Sequence, residues 1–159
     1  MTNFFLISLV IHFALTYAPF QVDGLSMYPN LKNQEIFLID KNDFRKEGLK
    51  RGDIIVFKVN SLFQNNNYFY VKRVIGLPGE TVKIDKNGVY IKKGNNPFRL
   101  LSEIYLHNHH FKYGDERFFI VPPNSYFVLG DNRDDSKDSR YFDNPYISVN
   151  RILGKYVWP

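Results

Sequence analysis

The chain has 159 residues, with 21 lysines and arginines against 16 aspartates and glutamates, and no cysteine. That length suits one domain with a small appendage, and a composition of 44% hydrophobic and 17% aromatic residues excludes global disorder. Without a thiol there are no disulfides, no Cys-ligated zinc, no iron–sulfur centre and no cysteine nucleophile.

The formal charge of +5 is spread along the chain, with no basic run of five, which argues against a nucleic-acid partner. Anionic lipid headgroups suit it better, because the N-terminus is strongly apolar. No acidic or basic side chain other than His12 occurs before Asp23, and Phe4 to Phe20 is apolar apart from Ser8, His12 and Thr16. Wound as a helix, Thr2 to Val22 would run about 31 Å, close to the thickness of a bilayer's hydrocarbon core. A cleaved secretory signal is the alternative. It lacks a basic start, and its best small-residue site, Thr16-Tyr17-Ala18, is followed by Pro19. A buried core helix would carry a polar face, and none is present. The expectation is an uncleaved, single-pass anchor over residues 1–22. Its orientation is not fixed by flanking charge, Lys32 being the first basic residue beyond it.

Next comes Val22-Asp-Gly-Leu-Ser-Met-Tyr-Pro29, where Gly24 and Pro29 suit a tight, irregular path around Ser26. A serine there is commonly only a turn residue. The apolar neighbours Leu25 and Met27 fit better beside a membrane or in a substrate groove.

Short strands follow. Glu35 to Asp40, Asp53 to Val59 and Tyr68 to Ile75 are rich in β-branched and aromatic residues. Gln64 to Asn67 reads as an exposed loop. Within Tyr70-Val-Lys-Arg-Val-Ile-Gly-Leu-Pro-Gly-Glu80, Lys72 shares a strand face with Tyr70 and Val74, while Arg73 points the other way. A lysine on a half-exposed strand is common. A desolvated one has another use: burial disfavours the ammonium, and a fall of roughly two to three units from about 10.4 leaves a neutral fraction near pH 8. A neutral amine can take the proton of a serine hydroxyl.

Thr81 to Asp85 and Val89 to Lys92 alternate around Lys86-Asn-Gly88, a hairpin signal. Residues 86–119 are more polar and less regular and read as a small inserted subdomain. His107, His109 and His110 cluster there, without the helical pair and glutamate of a zinc hydrolase. Phe118 to Val121, Tyr126 to Leu129 and Ile152 to Val157 complete the strands, and no internal repeat is present. The fold class is therefore mainly β: an antiparallel, barrel-like or sandwich body over 23–85 and 120–159, behind the anchor.

Leu129-Gly-Asp-Asn-Arg-Asp-Asp-Ser-Lys-Asp-Ser-Arg-Tyr-Phe142 concentrates charge in one loop. A calcium loop fails in detail, since Arg133 stands between Asp131 and Asp135 and Ser136 occupies the place of the turn glycine. A solvated charged loop and a hydrogen-bonded scaffold, with Ser136 orienting an amine and Asp138 pairing Arg140, both remain open.

Taken in order, the anchor, Ser26-Met-Tyr-Pro29, Arg51-Gly-Asp-Ile-Ile-Val-Phe57, Lys72-Arg-Val-Ile-Gly-Leu-Pro-Gly79 and Gly130 to Arg140 resemble bacterial type I signal peptidases of the S26 family. The resemblance spans about residues 1–157 and is weakest over 86–119. It implies a serine endopeptidase with Ser26 as nucleophile, Lys72 as general base and then acid, and Ser136 orienting Lys72. Asp138 and Arg140 would form a supporting ion pair, with Asp131 and Arg73 as further structural partners. The Ser26 N–H would contribute to the oxyanion hole, while Gly24 stands where part of the family has a second hydroxyl donor. The implied partners are membrane lipid and preprotein signal peptides with small residues one and three positions before the cut. The implied location is the cytoplasmic membrane with the catalytic body outside, and neither metal nor organic cofactor is called for. Rival readings are a self-cleaving repressor-type Ser–Lys protease, the mitochondrial branch of the same peptidases, and an inactive anchored domain that binds peptides.

Overall fold

The computed structural model describes residues 2–60, 67–106 and 115–157. Helix α1 (Thr2–Thr16) leads into β1 (Tyr17–Gln21), β2 (Ile36–Asp40), a single-turn helix α2 (Asp43–Glu47), β3 (Ile54–Asn60) and β4 (Asn67–Gly76). Then come β5 (Glu80–Asp85), β6 (Gly88–Lys93), β7 (Arg99–Leu100), β8 (Arg117–Ile120), β9 (Ser125–Leu129), β10 (Tyr146–Ser148) and β11 (Ile152–Val157).

The strands form two antiparallel sheets. The larger has seven strands in the order β1-β2-β11-β3-β4-β9-β10, and the smaller has four in the order β7-β6-β5-β8. Neither is a closed barrel, so the barrel-like expectation narrows to open sheets with β1 and β10 as outer strands. Alternation produces this arrangement: Val82 and Ile84 of β5 are buried while Thr81 and Lys83 between them are partly exposed. The β5–β6 hairpin closes with Asp85 opposite Gly88, and Asp85 Oδ1 accepts the Asn87 N–H at 2.8 Å. Core side chains lie in three clusters. Ile55, Phe57 and Val74 belong to one, Ile75, Val82 and Phe127 to the second, and Met27, Leu31 and Phe37 to the third. Burial of each large side chain contributes about 1.5–3 kcal/mol.

The N-terminus departs from expectation. Residues 1–22 are not one helix: α1 stops at Thr16, and Tyr17 to Gln21 pair with Asp40 to Ile36 as an outer strand. Pro19 explains the change, because it cannot donate inside a helix yet is tolerated on an edge strand. Fifteen residues of helix span about 22 Å, short of the hydrocarbon core. No helix among the described residues is long and apolar enough to cross a membrane. The helix nonetheless exposes apolar groups all round, with Leu6, Ile7, Val10, Phe13 and Leu15 each more than half accessible. The Gln64 to Asn67 loop and the His107–His110 cluster fall largely or wholly outside the described residues.

Candidate active site

Ser26 lies in the connection between β1 and β2. Val22 N–H donates to Glu35 O at 2.9 Å and Gln34 N–H to Val22 O at 2.8 Å, closing the base of that loop. Met27 and Leu31 are fully buried beside Phe37 and Ile39, and Leu31 N–H donates to Met27 O at 2.9 Å. These apolar plugs pin the loop and leave Ser26 at the surface of a cleft, next to the half-exposed Leu25. Gly24 has φ of 95°, a conformation that disfavours any side chain, and its N–H donates to Asn33 Oδ1 at 2.9 Å.

Lys72 comes from β4, whose register sets it opposite Ile55 of β3. Its Nζ is 2.7 Å from Ser26 Oγ and 2.9 Å from the Val71 carbonyl oxygen. The residue is 3% exposed. Burial pushes the amine down from 10.5 to about 8, against the opposing pull of the Asp138 and Asp131 carboxylates. The cleft holds about 430 Å³ and is bordered by Phe20 and Gln21 of β1 and by Tyr68 to Lys72 of β4, with Phe37 and Val56 between them. Phe20 and Phe69 meet edge to face across it, centroids 5.9 Å apart. Among the described residues, Phe69 to Lys72 of β4 pair with β3, and β9 joins only from Arg73 onward. This stretch of β4 borders the cleft.

The loop 130–140 supports both segments. Asp138 is fully buried; its Oδ1 lies 2.8 Å from Arg140 Nε, and its Oδ2 accepts the Gly130 N–H at 2.9 Å. Asp131 takes a two-pronged pair from Arg73, Nε to Oδ1 at 2.7 Å and Nη2 to Oδ2 at 2.6 Å. Asn132 N–H donates to Ser26 O at 3.0 Å, so this loop grips the serine backbone directly.

Ser136, expected to orient Lys72, has its Oγ buried without a hydrogen bond in this structure, while Lys72 Nζ bonds Ser26 Oγ and the Val71 carbonyl. The hydroxyl instead abuts Gly130, where an added Cβ would lie 2.1 Å from Ser136 Oγ and 2.5 Å from Ser26 O. Arg133 Nε holds the Gly130 carbonyl at 2.9 Å while Asp138 holds its N–H, and this fixes Gly130 beneath the serine.

Asn30, Glu103, Tyr105, Asn132 and Arg133 were not singled out by sequence reasoning. Their partners lie up to 107 positions away, as between Asn132 and Leu25, and no local pattern announces such pairs. Among the described residues no group of three or more His, Cys, Asp or Glu side chains could hold a metal ion.

A family model described as signal peptidase, peptidase S26, matches residues 1–159. Signal peptidase I S of Bacillus subtilis (strain 168) is 38% identical over 128 residues, covering 78% of this chain and 66% of its own length. Signal peptidase IB of Staphylococcus aureus (strain Mu50 / ATCC 700699) is 33% identical over 161 residues, 89% of this chain and 78% of that protein. The crystal structure of a signal peptidase I from Enterococcus faecalis V583 matches with a TM-score of 0.52 and 34% identity, covering 69% of this chain and 97% of that one.

Proposed function

The chain belongs to the signal peptidase family, peptidase S26, and on that premise we propose that it is a serine endopeptidase releasing exported preproteins from their signal peptides through Ser26 and Lys72. The observation that carries this reading is the 2.7 Å approach of a buried amine to a serine hydroxyl beside an open cleft.

As Ser26 Oγ attacks the scissile carbonyl, the neutral Lys72 amine takes its proton. The Ser26 N–H stabilises the oxyanion, Gly24 having no hydroxyl to add. Lys72, now an ammonium, returns the proton to the departing amine, leaving an acyl-enzyme ester on Ser26. Lys72 then draws a proton from water as the water attacks that ester, and passes the proton to the departing Ser26 Oγ, which restores the serine and frees the signal peptide with its new C-terminal carboxyl group. Asp138–Arg140 and Asp131–Arg73 hold the loops that present the pair, and the two carboxylates keep the lysine from losing its proton too readily. Ser136 packs on Gly130 beneath the nucleophile rather than bonding to the amine.

The substrate would enter extended, adding as a strand along β4 at Phe69 to Lys72, with alternate side chains turned into the cleft. The apolar walls suit small residues one and three positions before the cut. The helix α1, apolar on every side, would lie in lipid and keep the body against the extracytoplasmic face of the cytoplasmic membrane.

Detergent-purified protein mixed with a preprotein tests this, with the new N-terminus read by mass spectrometry. Ser26→Ala and Lys72→Met should each lower the rate at least about 10³-fold. Undiminished cleavage in either variant would reject the dyad. Retained preprotein binding without any cleavage by the unaltered chain would favour the peptide-binding alternative.

A further inference from the structure

Between β7 and β8 the chain leaves the small sheet through a turn at residues 101–106. Leu101 and Tyr105 pack on that sheet's core, and Leu106 N–H donates to Glu103 O at 3.0 Å, closing the turn. The turn does not line the cleft. Its polar groups nevertheless reach each segment that builds the site.

The Glu103 carboxylate pairs with the Arg133 guanidinium, Nη1 to Oε2 at 3.1 Å and Nη2 to Oε1, with the two side chains 9% and 0% exposed. The Tyr105 hydroxyl donates to Glu103 Oε1 at 2.8 Å, and burial holds that phenol protonated far above the pH range of interest. Its ring lies 4.1 Å from Arg73 Cζ, adjacent in sequence to Lys72. The Tyr105 carbonyl accepts from Asn30 Nδ2 at 2.8 Å, and that same nitrogen donates to Asp131 Oδ2 at 2.8 Å.

We infer that Glu103 and Tyr105 are positioning residues for the dyad: their turn clamps the Ser26 loop, the Lys72 strand and the 130–140 loop against one another and so sets the approach of amine to hydroxyl. This inference rests on the hydrolytic reading above. The lever is short. Arg133, held by Glu103, holds the Gly130 carbonyl at 2.9 Å, and Gly130 abuts both Ser136 and Ser26 O. Loss of a carboxylate destabilises a buried guanidinium, and the loop that Arg133 holds carries Asp131 and Asp138, the carboxylates that act on Lys72.

Two variants test the clamp. Single-turnover cleavage of a preprotein, expressed per folded molecule, is followed from about pH 6 to 9 in the parent chain, Glu103→Gln and Tyr105→Phe. In parallel, the Lys72 side chain is titrated by NMR with ¹³Cε-labelled lysine, a readout that needs no turnover. The charged and polar groups facing Nζ are Ser26, the Tyr70 ring, Asp131 and Asp138, with Asp23, Asp135 and Lys137 bordering the cleft. Glu103→Gln should lower the plateau rate about tenfold with KM unchanged. It should also move the Lys72 titration to lower pH, because the loop that Arg133 steadies then holds Asp131 and Asp138 less closely on the amine. Tyr105→Phe keeps every charge, and should lower the plateau severalfold without moving the titration.

Parent-like rates per folded molecule and a parent-like Lys72 titration in both variants would overturn the inference, whatever happens to thermal stability. Should Glu103→Gln fail to fold, Tyr105→Phe decides alone by its rate. Failure of the hydrolytic reading is separable: the parent itself would then cleave nothing, or would cleave equally well as Ser26→Ala.

Discussion

At Lys72 the burial that makes the amine useful as a base also costs the fold. With a folded value of about 8 against 10.5, the lysine is charged at pH 7 both folded and unfolded, and the folded state bears a penalty of about 3 kcal/mol. The sign follows from proton binding. Between pH 8 and 10.5 the unfolded chain holds more protons, so stability rises with pH through that window and the penalty is gone above it. Lys72→Met should therefore stabilise the protein at pH 7 by up to about 3 kcal/mol, the gain fading at pH 10, as measured by urea unfolding at both values. With Lys72 as the proposed base, the same ionisation would govern rate: acylation should rise with one apparent pKa near 8, and a flat profile from about pH 6 to 9 would contradict that role. Both residues were legible as candidates from their local surroundings, but their meeting was expected only from the resemblance, since no spacing rule joins residues 46 positions apart.

The loop 130–140 shows what an element adds to its residues. Its charges are plain in the sequence, but their partners depend on how the backbone doubles back. The Asp138–Arg140 pair is local, whereas Asp131 meets Arg73 only because β4 and β9 are neighbours. Gly130 is the tight point. Gly130→Ala would drive a methyl into Ser136 Oγ and the Ser26 carbonyl, with contacts of 2.1 and 2.5 Å to be relieved. We expect a loss of about 1–3 kcal/mol in stability and at least a hundredfold fall in cleavage rate, read by thermal unfolding and single-turnover assay. A shift of that backbone displaces Ser26, the proposed nucleophile. Ser136 shows the same limit: its place in the loop is local, while the packing of its Oγ on Gly130 is not readable from the sequence. Elsewhere the strands were readable because a half-buried strand repeats every two residues, as β5 and β6 do. Tyr17 to Gln21 was not, because a continuous apolar run carries no period that separates strand from helix.

Across the whole molecule, α1 meets the β body through contacts at its C-terminal end. The helix is tied down near its last turn, where Lys41 Nζ donates to Ala14 O at 2.8 Å, Lys41 N–H donates to Thr16 O at 2.9 Å, and Phe13 meets Tyr17 at 4.9 Å. Deleting residues 2–13 should leave the thermal midpoint of the β body within a few degrees while abolishing sedimentation with phospholipid vesicles. An unchanged vesicle-bound fraction would place lipid attachment elsewhere on the surface. By itself the sequence determined the mainly β class, the run of strands, the apolar N-terminus and the resemblance to signal peptidases, because these depend on period, composition and motif order along the chain. Only the tertiary structure decided that the sheets stay open, that the helix ends at Thr16, that Ser136 turns to Gly130 and that Glu103 reaches Arg133. Each of these depends on how the backbone packs once the chain has collapsed, on which strand edges and buried charges find partners, rather than on period or motif order.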